Sequence, residues 1–332
     1  MYAARRIAAV LVGFVFFMAG ILKLMDPVGN GLVVAEYYKF LHLGMIGPTA
    51  PFAGSFLALA ETITGVALIT GVWRRLTAVV SGAMLFVFTL LTVALVVFNP
   101  SMECGCFGEA VHLSHTQSLV KNLVLCVLWV FAFVPVRKLG NRKIKFVSFA
   151  VASLSCCVFF VHSLLSVPLM DFTPFAPGCE LAQENEEYAS DAPLLSFCNE
   201  SGEYADSIAT RGRVVIASVY DAGRFNESRW NRLAAFFDMA EKAGYRPLLL
   251  VSAVPGDFRC AVDGDRCYFA DRKTLMTLNR SNGGVTLISD GQVVRKWAFN
   301  FLPSEKDLPS DSPHHLMFQG FLLYVFAVML LL

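Results

Sequence analysis

Two cysteines one residue apart, Cys104 and Cys106, stand in a glycine-rich turn, Cys104-Gly105-Cys106-Phe107-Gly108, that follows a long apolar run. Thiols this close form a disulfide only in a strained geometry, and strained disulfides are the readily reduced ones. The spacing therefore favours a redox pair that alternates between dithiol and disulfide. Two alternatives stay open: a structural bridge or two idle cysteines in a turn, and a metal site completed by His112 and His115.

The composition of the 332 residues is typical of a membrane protein. Hydrophobic residues make up 56% of the chain and charged residues only 16%, too few to cover the surface of a soluble protein of this length. The net charge of +1 argues for neither nucleic acid nor an acidic partner. Nine cysteines are many for a cytosolic enzyme and fit a chain that faces an oxidising compartment.

Apolar runs that are long enough to cross about 30 Å of hydrocarbon occupy most of the first half of the chain. The first, Ile7–Met25, follows Arg5 and Arg6 and is not followed by a small-residue cleavage site, so we expect an uncleaved span. A polar, aromatic stretch through Glu36-Tyr37-Tyr38-Lys39 comes next. Further spans are predicted at 52–72, 76–98, 119–136 and 146–169, and a last one, at the lower limit of length, at 316–332.

Three basic clusters predict the orientation of these spans. Arg5/Arg6, Arg74/Arg75 and the linker 137–145 fall on one face if the spans alternate in direction, and the positive-inside rule makes that face cytoplasmic. The Cys-X-Cys turn and the stretch 171–315 then lie outside, where disulfide chemistry can take place.

A carboxylate, Glu61, is predicted midway along the second span, where an unpaired charge costs several kcal/mol. Lys23, near the outer end of the first span, differs from it by about 6 Å in depth at about 1.5 Å rise per residue, so the two side chains can meet. We interpret them as a structural ion pair, with a proton relay serving the thiols as the alternative. Cys126, Cys156 and Cys157 fall inside spans and are interpreted as small apolar residues without chemistry.

The order of these features resembles the DoxX/MauE family of small membrane proteins, the MauE proteins being those of methylamine utilisation. The resemblance covers roughly residues 5–136 and rests on the following residues: Phe17-X-X-Gly20-X-X-Lys23, Asp26-Pro27, Tyr38, Glu61 with Gly65, Gly71-X-X-Arg74, and the Cys-Gly-Cys-Phe-Gly turn after the third span. MauE proteins are associated with disulfide maturation of methylamine dehydrogenase. The family layout is also similar to the four-helix vitamin K epoxide reductase bundle, which exchanges disulfides with a quinone. The resemblance implies that Cys104 and Cys106 are the redox pair and that a quinone is the electron carrier, although no motif locates a quinone-binding residue.

The stretch after the fifth span predicts an α/β domain. Short apolar, β-branched runs are typical of buried strands, helical spacing predicts helices, and an Asp-Gly pair between apolar runs predicts a hairpin. The predicted order is a strand at 213–220, a helix at 226–243, a strand at 247–251, a helix at 271–279 and a hairpin at 285–297 around Asp290-Gly291. This is the order of a thioredoxin-like fold.

The domain resembles TlpA-type thioredoxin domains in its lead-in, and resembles domains appended to DoxX-type proteins of Bacteroidetes in the segment Arg280-Ser281-Asn282. It departs from the thioredoxin pattern in two places. Asp221-Ala222-Gly223-Arg224 stands where Cys-X-X-Cys is expected, and Gly284 stands near the place of the cis-proline. The ordinary thioredoxin mechanism is therefore not expected, and the domain is interpreted as degenerate.

Four cysteines remain in this domain, Cys179, Cys198, Cys260 and Cys267. The oxidising compartment favours structural bridges, for which Cys260–Cys267, around the turn Asp263-Gly264, and Cys179–Cys198 are the expected pairs. The alternative is a shuttle that receives electrons from Cys104 and Cys106.

Together these observations predict a membrane α-helical bundle with an external α/β thioredoxin-like domain, in a multi-pass protein of the bacterial inner membrane whose N-terminus is cytoplasmic. Its predicted parts are a DoxX/MauE-like four-helix bundle (1–136), a basic cytoplasmic linker with a fifth helix (137–170), a periplasmic domain (171–312) and a C-terminal transmembrane helix (313–332). The predicted activity is thiol–disulfide exchange with a periplasmic client protein, with no metal and no nucleic acid. The alternatives are a non-enzymatic membrane scaffold that binds a client, and an accessory subunit of a quinol-oxidising complex.

Overall fold

The computed structural model describes residues 2–134, 145–182, 192–256, 258, 266–308 and 320. The chain forms two compact units, and the boundary between them lies between Leu164 and Leu165. Most of the predicted span 316–332, most of the basic linker and Cys260 lie outside the described residues.

The first unit is built from helices. They are α1 Tyr2–Met25, α2 Pro27–Phe40, α3 Ala50–Thr70, α4 Arg74–Phe98, α5 His115–Phe133 and α6 Phe146–Leu165, with a short 3₁₀ helix at Gly44–Thr49 and a four-residue extended segment β1 at Cys106–Glu109. Within the described part of the chain, five of these helical segments are long and apolar enough to cross a membrane. These are the five predicted spans, so the membrane helical region is confirmed.

The helix α2 was not predicted, because its sequence has no marked apolar periodicity. Its start is specified locally: Asp26 caps it by accepting a hydrogen bond from the Gly29 N–H at 2.9 Å, and Pro27 occupies the first turn, where no N–H is needed. Asn30, which is buried, donates a hydrogen bond from Nδ2 to the Gly54 carbonyl oxygen of α3 at 2.7 Å. The polar, aromatic stretch is therefore an ordered helix held against α3.

Close packing between α1 and α3 depends on glycine. A Cβ atom on Gly20 would lie 2.6 Å from the Thr62 nitrogen and 2.9 Å from the Ala58 carbonyl oxygen, and one on Gly65 would lie 2.7 Å from the Gly13 carbonyl oxygen. These distances are shorter than any non-bonded contact allows, so only glycine lets the two backbones approach this closely. Small residues at helix contacts are the usual device in membranes, where lipid offers no hydrophobic driving force for helix association.

The second unit contains a five-stranded sheet in the order β4-β3-β2-β5-β6. The strands are β2 Arg213–Val219, β3 Arg246–Val251, β4 Cys267–Phe269, β5 Gly284–Ser289 and β6 Gln292–Trp297, and the helices are α7 Glu227–Lys242 and α8 Arg272–Leu278. The central strand β2 is parallel to β3 and antiparallel to β5, and β5 and β6 form a hairpin. The predicted thioredoxin-like order is confirmed, with β4 as an additional strand.

Alternation along β2 divides the core into two layers. Val215, Ala217 and Val219 pack with Leu233 and Phe237 of α7. Val214 and Ile216 point to the other face, with the core cluster that contains Leu275 and Leu278 of α8. Because successive side chains of a strand point to opposite faces, a fully apolar strand such as β2 must be covered on both sides, and the two helices supply that cover.

We expect Gly65→Ala to destabilise the membrane bundle by about 1–3 kcal/mol, the usual cost of overpacking. The added methyl group would meet backbone atoms of α1, which cannot yield as a flexible side chain can. Thermal unfolding of the full chain in detergent measures the effect. Gly47→Ala is the matched control, because a Cβ at Gly47 meets nothing within 4 Å. Equal unfolding temperatures for the two variants would contradict the assigned packing.

Candidate redox site

The Cys-X-Cys turn brings its two sulfurs together. The Cys104 and Cys106 Sγ atoms lie 2.7 Å apart, and Gly105 between them has a φ of 60°, which side-chain-bearing residues rarely adopt. Gly105 also contacts Val33 of α2 so closely that a Cβ would overlap it. The Tyr37 hydroxyl donates a hydrogen bond to the Cys104 carbonyl oxygen at 2.7 Å. Helix α2 therefore holds the turn in the shape that pairs the thiols.

The two thiols are in unequal environments. Cys104 is only 4% exposed, whereas Cys106 is partly exposed. The hydrogen bond that the Cys104 thiol donates lowers the pKa of Cys106 to about 5, with further help from the positive charges of Lys121 and Lys23, against the effect of burial. The same hydrogen bond, together with burial, raises the pKa of Cys104 well above its usual range. At neutral pH Cys106 is therefore the thiolate and Cys104 the thiol.

A cavity of about 380 Å³ opens beside the thiols within the first unit. Its wall is mainly apolar, with aromatic rings from Phe16, Phe56 and Phe88. The polar groups on the wall are Lys23, Asn30, Tyr37, Tyr38, Glu61, Thr92, Lys121 and Asn122, besides the two cysteines. A mainly apolar cavity with a few convergent polar groups is the usual form of a small-molecule or catalytic site.

The structure brings Lys23 and Glu61 together on this wall. Lys23 Nζ lies 2.7 Å from Glu61 Oε2, and both side chains are less than 10% exposed. Lys23 Nζ also lies 5.7 Å from the centre of the Phe88 ring. The same cavity is lined by all four site residues that were predicted from the sequence: Cys104, Cys106, Lys23 and Glu61.

The two histidines considered for a metal have other partners. His112 Nδ1 lies 2.7 Å from Glu103 Oε2 in an exposed pair, and His115 Nε2 lies 2.8 Å from the Met102 carbonyl oxygen. Neither lies on the cavity wall. Among the described residues, no group of three His, Cys, Asp or Glu side chains is arranged to hold a metal ion.

Sequence reasoning missed three residues of this site, Tyr37, Ser118 and Lys121. Lys121 lines the cavity, and its ammonium lies 5.0 Å from the centre of the Phe107 ring. Ser118 is fully buried and lies next to both thiols. The signal for the last two was their spacing of three residues at the start of an apolar helix, since residues at i and i+3 share one face.

In the second unit, the place of a thioredoxin Cys-X-X-Cys is a short turn of 3₁₀ helix, Ala222–Arg224, after β2. Arg224 pairs with Asp221 at 3.0 Å. The Arg229 guanidinium stacks between two rings, 4.6 Å from the centre of Phe225 and 4.3 Å from that of Phe299. A positive, aromatic cluster therefore occupies this position, and no thiol lies in it.

The expected Cys179–Cys198 bridge is wrong, because both cysteines carry free thiols. Cys179 is hydrogen-bonded to Val293 of β6, and Cys198 to Phe269 of β4. These are the two opposite edges of the five-stranded sheet, about 19 Å apart at about 4.8 Å per strand. A disulfide needs Cα atoms less than about 7 Å apart. The expected Cys260–Cys267 bridge involves Cys260, which lies outside the described residues.

Comparisons with known proteins agree with a membrane part and a thioredoxin-like part in this chain. Residues 1–135 match the family described as methylamine utilisation protein MauE. The chain is 23% identical over 167 residues to Protein TlpB of Flavobacterium psychrophilum, an overlap of 49% of this chain and 46% of that protein. The chain thus matches a little less than half of the length of this relative. No solved structure matches significantly.

The helical region with its thiol turn, the sheet of the second unit and these two similarities agree. The chain is a MauE-like, multi-pass membrane protein with a thioredoxin-like part.

Proposed function

We propose that Cys104 and Cys106 form an exchanging thiol–disulfide pair that acts on disulfides of client proteins outside the inner membrane. The similarities to MauE and TlpB point to a redox or thioredoxin-like role for this membrane protein. The observation that carries the finer proposal is the pairing of a buried thiol with a partly exposed one, 2.7 Å apart, at the wall of a cavity.

The asymmetry of the pair assigns a role to each sulfur. The Cys106 thiolate attacks one sulfur of a client disulfide, which forms a mixed disulfide and releases the other client sulfur as a thiolate. Cys104 then loses its proton and its sulfur attacks Cys106, which forms the Cys104–Cys106 disulfide and releases the second client thiolate. Two electrons pass to the client, whose two thiolates take up two protons, one released by Cys104 and one from water. The same steps in reverse oxidise a client dithiol and leave Cys104 and Cys106 as a dithiol, which is the direction that an electron acceptor such as a quinone would sustain.

We assign the Lys23–Glu61 pair a structural role. Each charge neutralises the other inside the apolar bundle, where either one alone would be costly. A proton relay to the thiols is the second role considered for Glu61, since it lines the same cavity as Cys104 and Cys106.

The quinone implied by the bundle layout fits the residues that are present. Aromatic side chains on the cavity wall suit a flat ring, and the Tyr38 hydroxyl and the Lys23 and Lys121 ammonium groups are donors suited to its carbonyl oxygens. When bound, a quinone supplies a two-electron, two-proton acceptor for the dithiol. The chain's own residues in that case bind the ring, exclude water and hold the thiols close to it.

The second unit is proposed to bind the client without exchanging disulfides itself. Its thioredoxin-like sheet is intact, and the turn 221–224 carries no thiol. In the scaffold alternative, the whole chain binds a client without exchanging disulfides, and the Cys-X-Cys turn has no redox chemistry.

We expect Cys104→Ser to trap a client. The variant keeps the attacking Cys106 thiolate and loses the sulfur that resolves the mixed disulfide, so the adduct accumulates on a non-reducing gel, whereas Cys106→Ser gives little adduct. Both variants lose exchange and remain inserted, because a bridge between residues two apart closes almost no loop and adds little stability.

Cys126→Ser is the matched control, since Cys126 lies in α5 and contacts Thr89 outside the cavity wall. It should retain full exchange. Full function of the Cys104→Ser and Cys106→Ser variants in cells, with no trapped client and no reactivity of the remaining thiol toward an alkylating probe, would overturn the redox assignment and favour the scaffold alternative.

The proposed orientation places the thiol turn and the second unit on the outer side. Reporter fusions at Gly140, in the basic linker, and at Gly202, in the second unit, should report opposite sides of the membrane. If both report the same side, the turn does not face an oxidising compartment together with the second unit.

We expect Glu61→Gln to lower stability by about 3–5 kcal/mol, because it leaves the Lys23 ammonium buried without its counter-charge. The double variant Lys23→Met/Glu61→Leu should recover most of this loss, since it removes both buried charges together. Unfolding in detergent measures stability, and client trapping measures exchange. A stable double variant that has lost exchange would show that the pair acts in the exchange itself, through Glu61 as a proton relay or through the Lys23 charge near Cys106, and contradict a purely structural role.

A further inference from the structure

One face of α5 is turned toward the thiols. Ser118, Asn122 and Leu125 are each no more than 5% exposed, and the spacing of 118, 121, 122 and 125 places all four on one side of a helix. Asn122 is engaged, because its Nδ2 donates a hydrogen bond to Thr92 Oγ1 of α4 at 3.2 Å. The two other polar groups on this face, Ser118 and Lys121, have no such engagement.

Ser118 holds an unsatisfied hydroxyl. Its Oγ atom is buried and has no hydrogen-bond partner among the residues that the structure describes. Burying a hydroxyl without a hydrogen-bond partner is unfavourable, so this unpaired group needs a physical explanation. Ser118 lies beside both thiols, and a hydrogen bond from it to either sulfur favours the thiolate form. A donor held beside two thiols becomes satisfied when one of them acquires charge.

Lys121 holds a charge that no nearby carboxylate pairs with. Lys23 has Glu61 at 2.7 Å, whereas the Lys121 ammonium lies over the Phe107 ring, 5.0 Å from its centre. Phe107 directly follows Cys106, so the ring keeps the ammonium close to the thiol turn. In the described chain Lys121 makes no ion pair.

One other positive charge acts on Cys106, that of Lys23, and it is paired with Glu61. Helix α4 lines the cavity with Leu85, Phe88, Leu91 and Thr92, all uncharged. The titratable groups that line the cavity with Cys106 are Cys104 in the turn, Lys23 of α1, Tyr37 and Tyr38 of α2, Glu61 of α3 and Lys121 of α5. Burial and the nearby thiols raise the pKa of Tyr37, which stays neutral, and Lys23 and Glu61 offset each other. Lys121 is thus the one uncompensated charge on the wall among these groups.

We propose that Ser118 and Lys121 form a charge-holding pair for the thiolates of the exchange reaction, with Lys121 acting on Cys106 and Ser118 on whichever sulfur carries the charge. This inference rests on the proposed function. It makes both residues positioning and stabilising groups that take no part in the electron transfer. During exchange the negative charge moves from Cys106 to Cys104, and a hydroxyl beside both sulfurs can follow it by rotation alone.

The test is the pH dependence of alkylation at Cys106 in the reduced full chain, measured by mass spectrometry of the peptide that contains the turn. The wild-type rate should rise through about pH 5 and level off above it, because only the thiolate reacts. Lys121→Met should move the midpoint up by about 1 pH unit, which is the effect of losing one nearby opposite charge. Ser118→Ala should move it in the same direction, and Lys121→Arg and Ser118→Thr should restore it.

Lys39→Met is the matched control, since Lys39 is exposed at the end of α2 and does not line the cavity. It should leave the midpoint unchanged. Midpoints that stay at the wild-type value in Lys121→Met and Ser118→Ala, with Cys106 still reactive, would overturn the charge-holding pair and leave the exchange proposal intact. A Cys106 that fails to react at any pH in the wild type would instead sink the proposed function itself.

Discussion

The buried ion pair between Lys23 and Glu61 is a strong constraint on the packing of the membrane unit. Two opposite charges inside an apolar bundle are tolerated only when they meet directly, so α1 and α3 must lie close at this depth. Gly20 and Gly65 allow that approach, since a methyl group at either position would collide with the facing helix. The pair also forms part of the cavity wall beneath the thiol turn. The same contact therefore joins two helices and shapes the proposed site.

The difference between the two cysteines follows from the way the turn is held. Tyr37 binds the Cys104 carbonyl and Val33 packs against Gly105, so the side of the turn that carries Cys104 faces protein. Cys106 remains partly exposed beside a cavity with an ammonium group on its wall. A pair of equal thiols would share a proton without a preferred nucleophile. Here one sulfur is stabilised as a thiolate and accessible, while the other is protected until the first has reacted, which is what the proposed exchange requires.

Two kinds of feature could be predicted from the sequence: those that leave a long hydrophobic pattern in the chain, and those that avoid a large free-energy penalty. The five spans that the structure describes were predicted from their length, and the meeting of Lys23 and Glu61 was predicted from the penalty of burying either charge alone. The order of strands and helices in the second unit was predicted from apolar runs and the Asp290-Gly291 turn, where both residues have positive φ.

Helix α2 was missed because it packs by a few specific contacts instead of an apolar stripe. Ser118 and Lys121 were missed because a serine and a lysine at the end of a span have many ordinary explanations, and only the position of the thiols gives them a role. The Cys179–Cys198 bridge failed because the compartment argument says that cysteines pair and not which ones lie together.

The second unit shows how a fold can keep its architecture after its usual chemistry is gone. In a thioredoxin-like enzyme, the start of the helix after the central strand lowers a thiol pKa. Here the start of α7 is capped by Asn226 and followed by the Arg229 guanidinium between two aromatic rings. The buried pair of Lys296 and Asp171, at 2.6 Å, and the hydrogen bonds of residues 178–181 along β6 hold the lead-in segment to the sheet edge. All of these contacts stabilise the domain without needing a thiol at its centre. If this unit binds a client, as proposed, the turn 221–224 takes no part in disulfide exchange, and the proposed route for the electrons is the Cys104–Cys106 turn of the membrane unit.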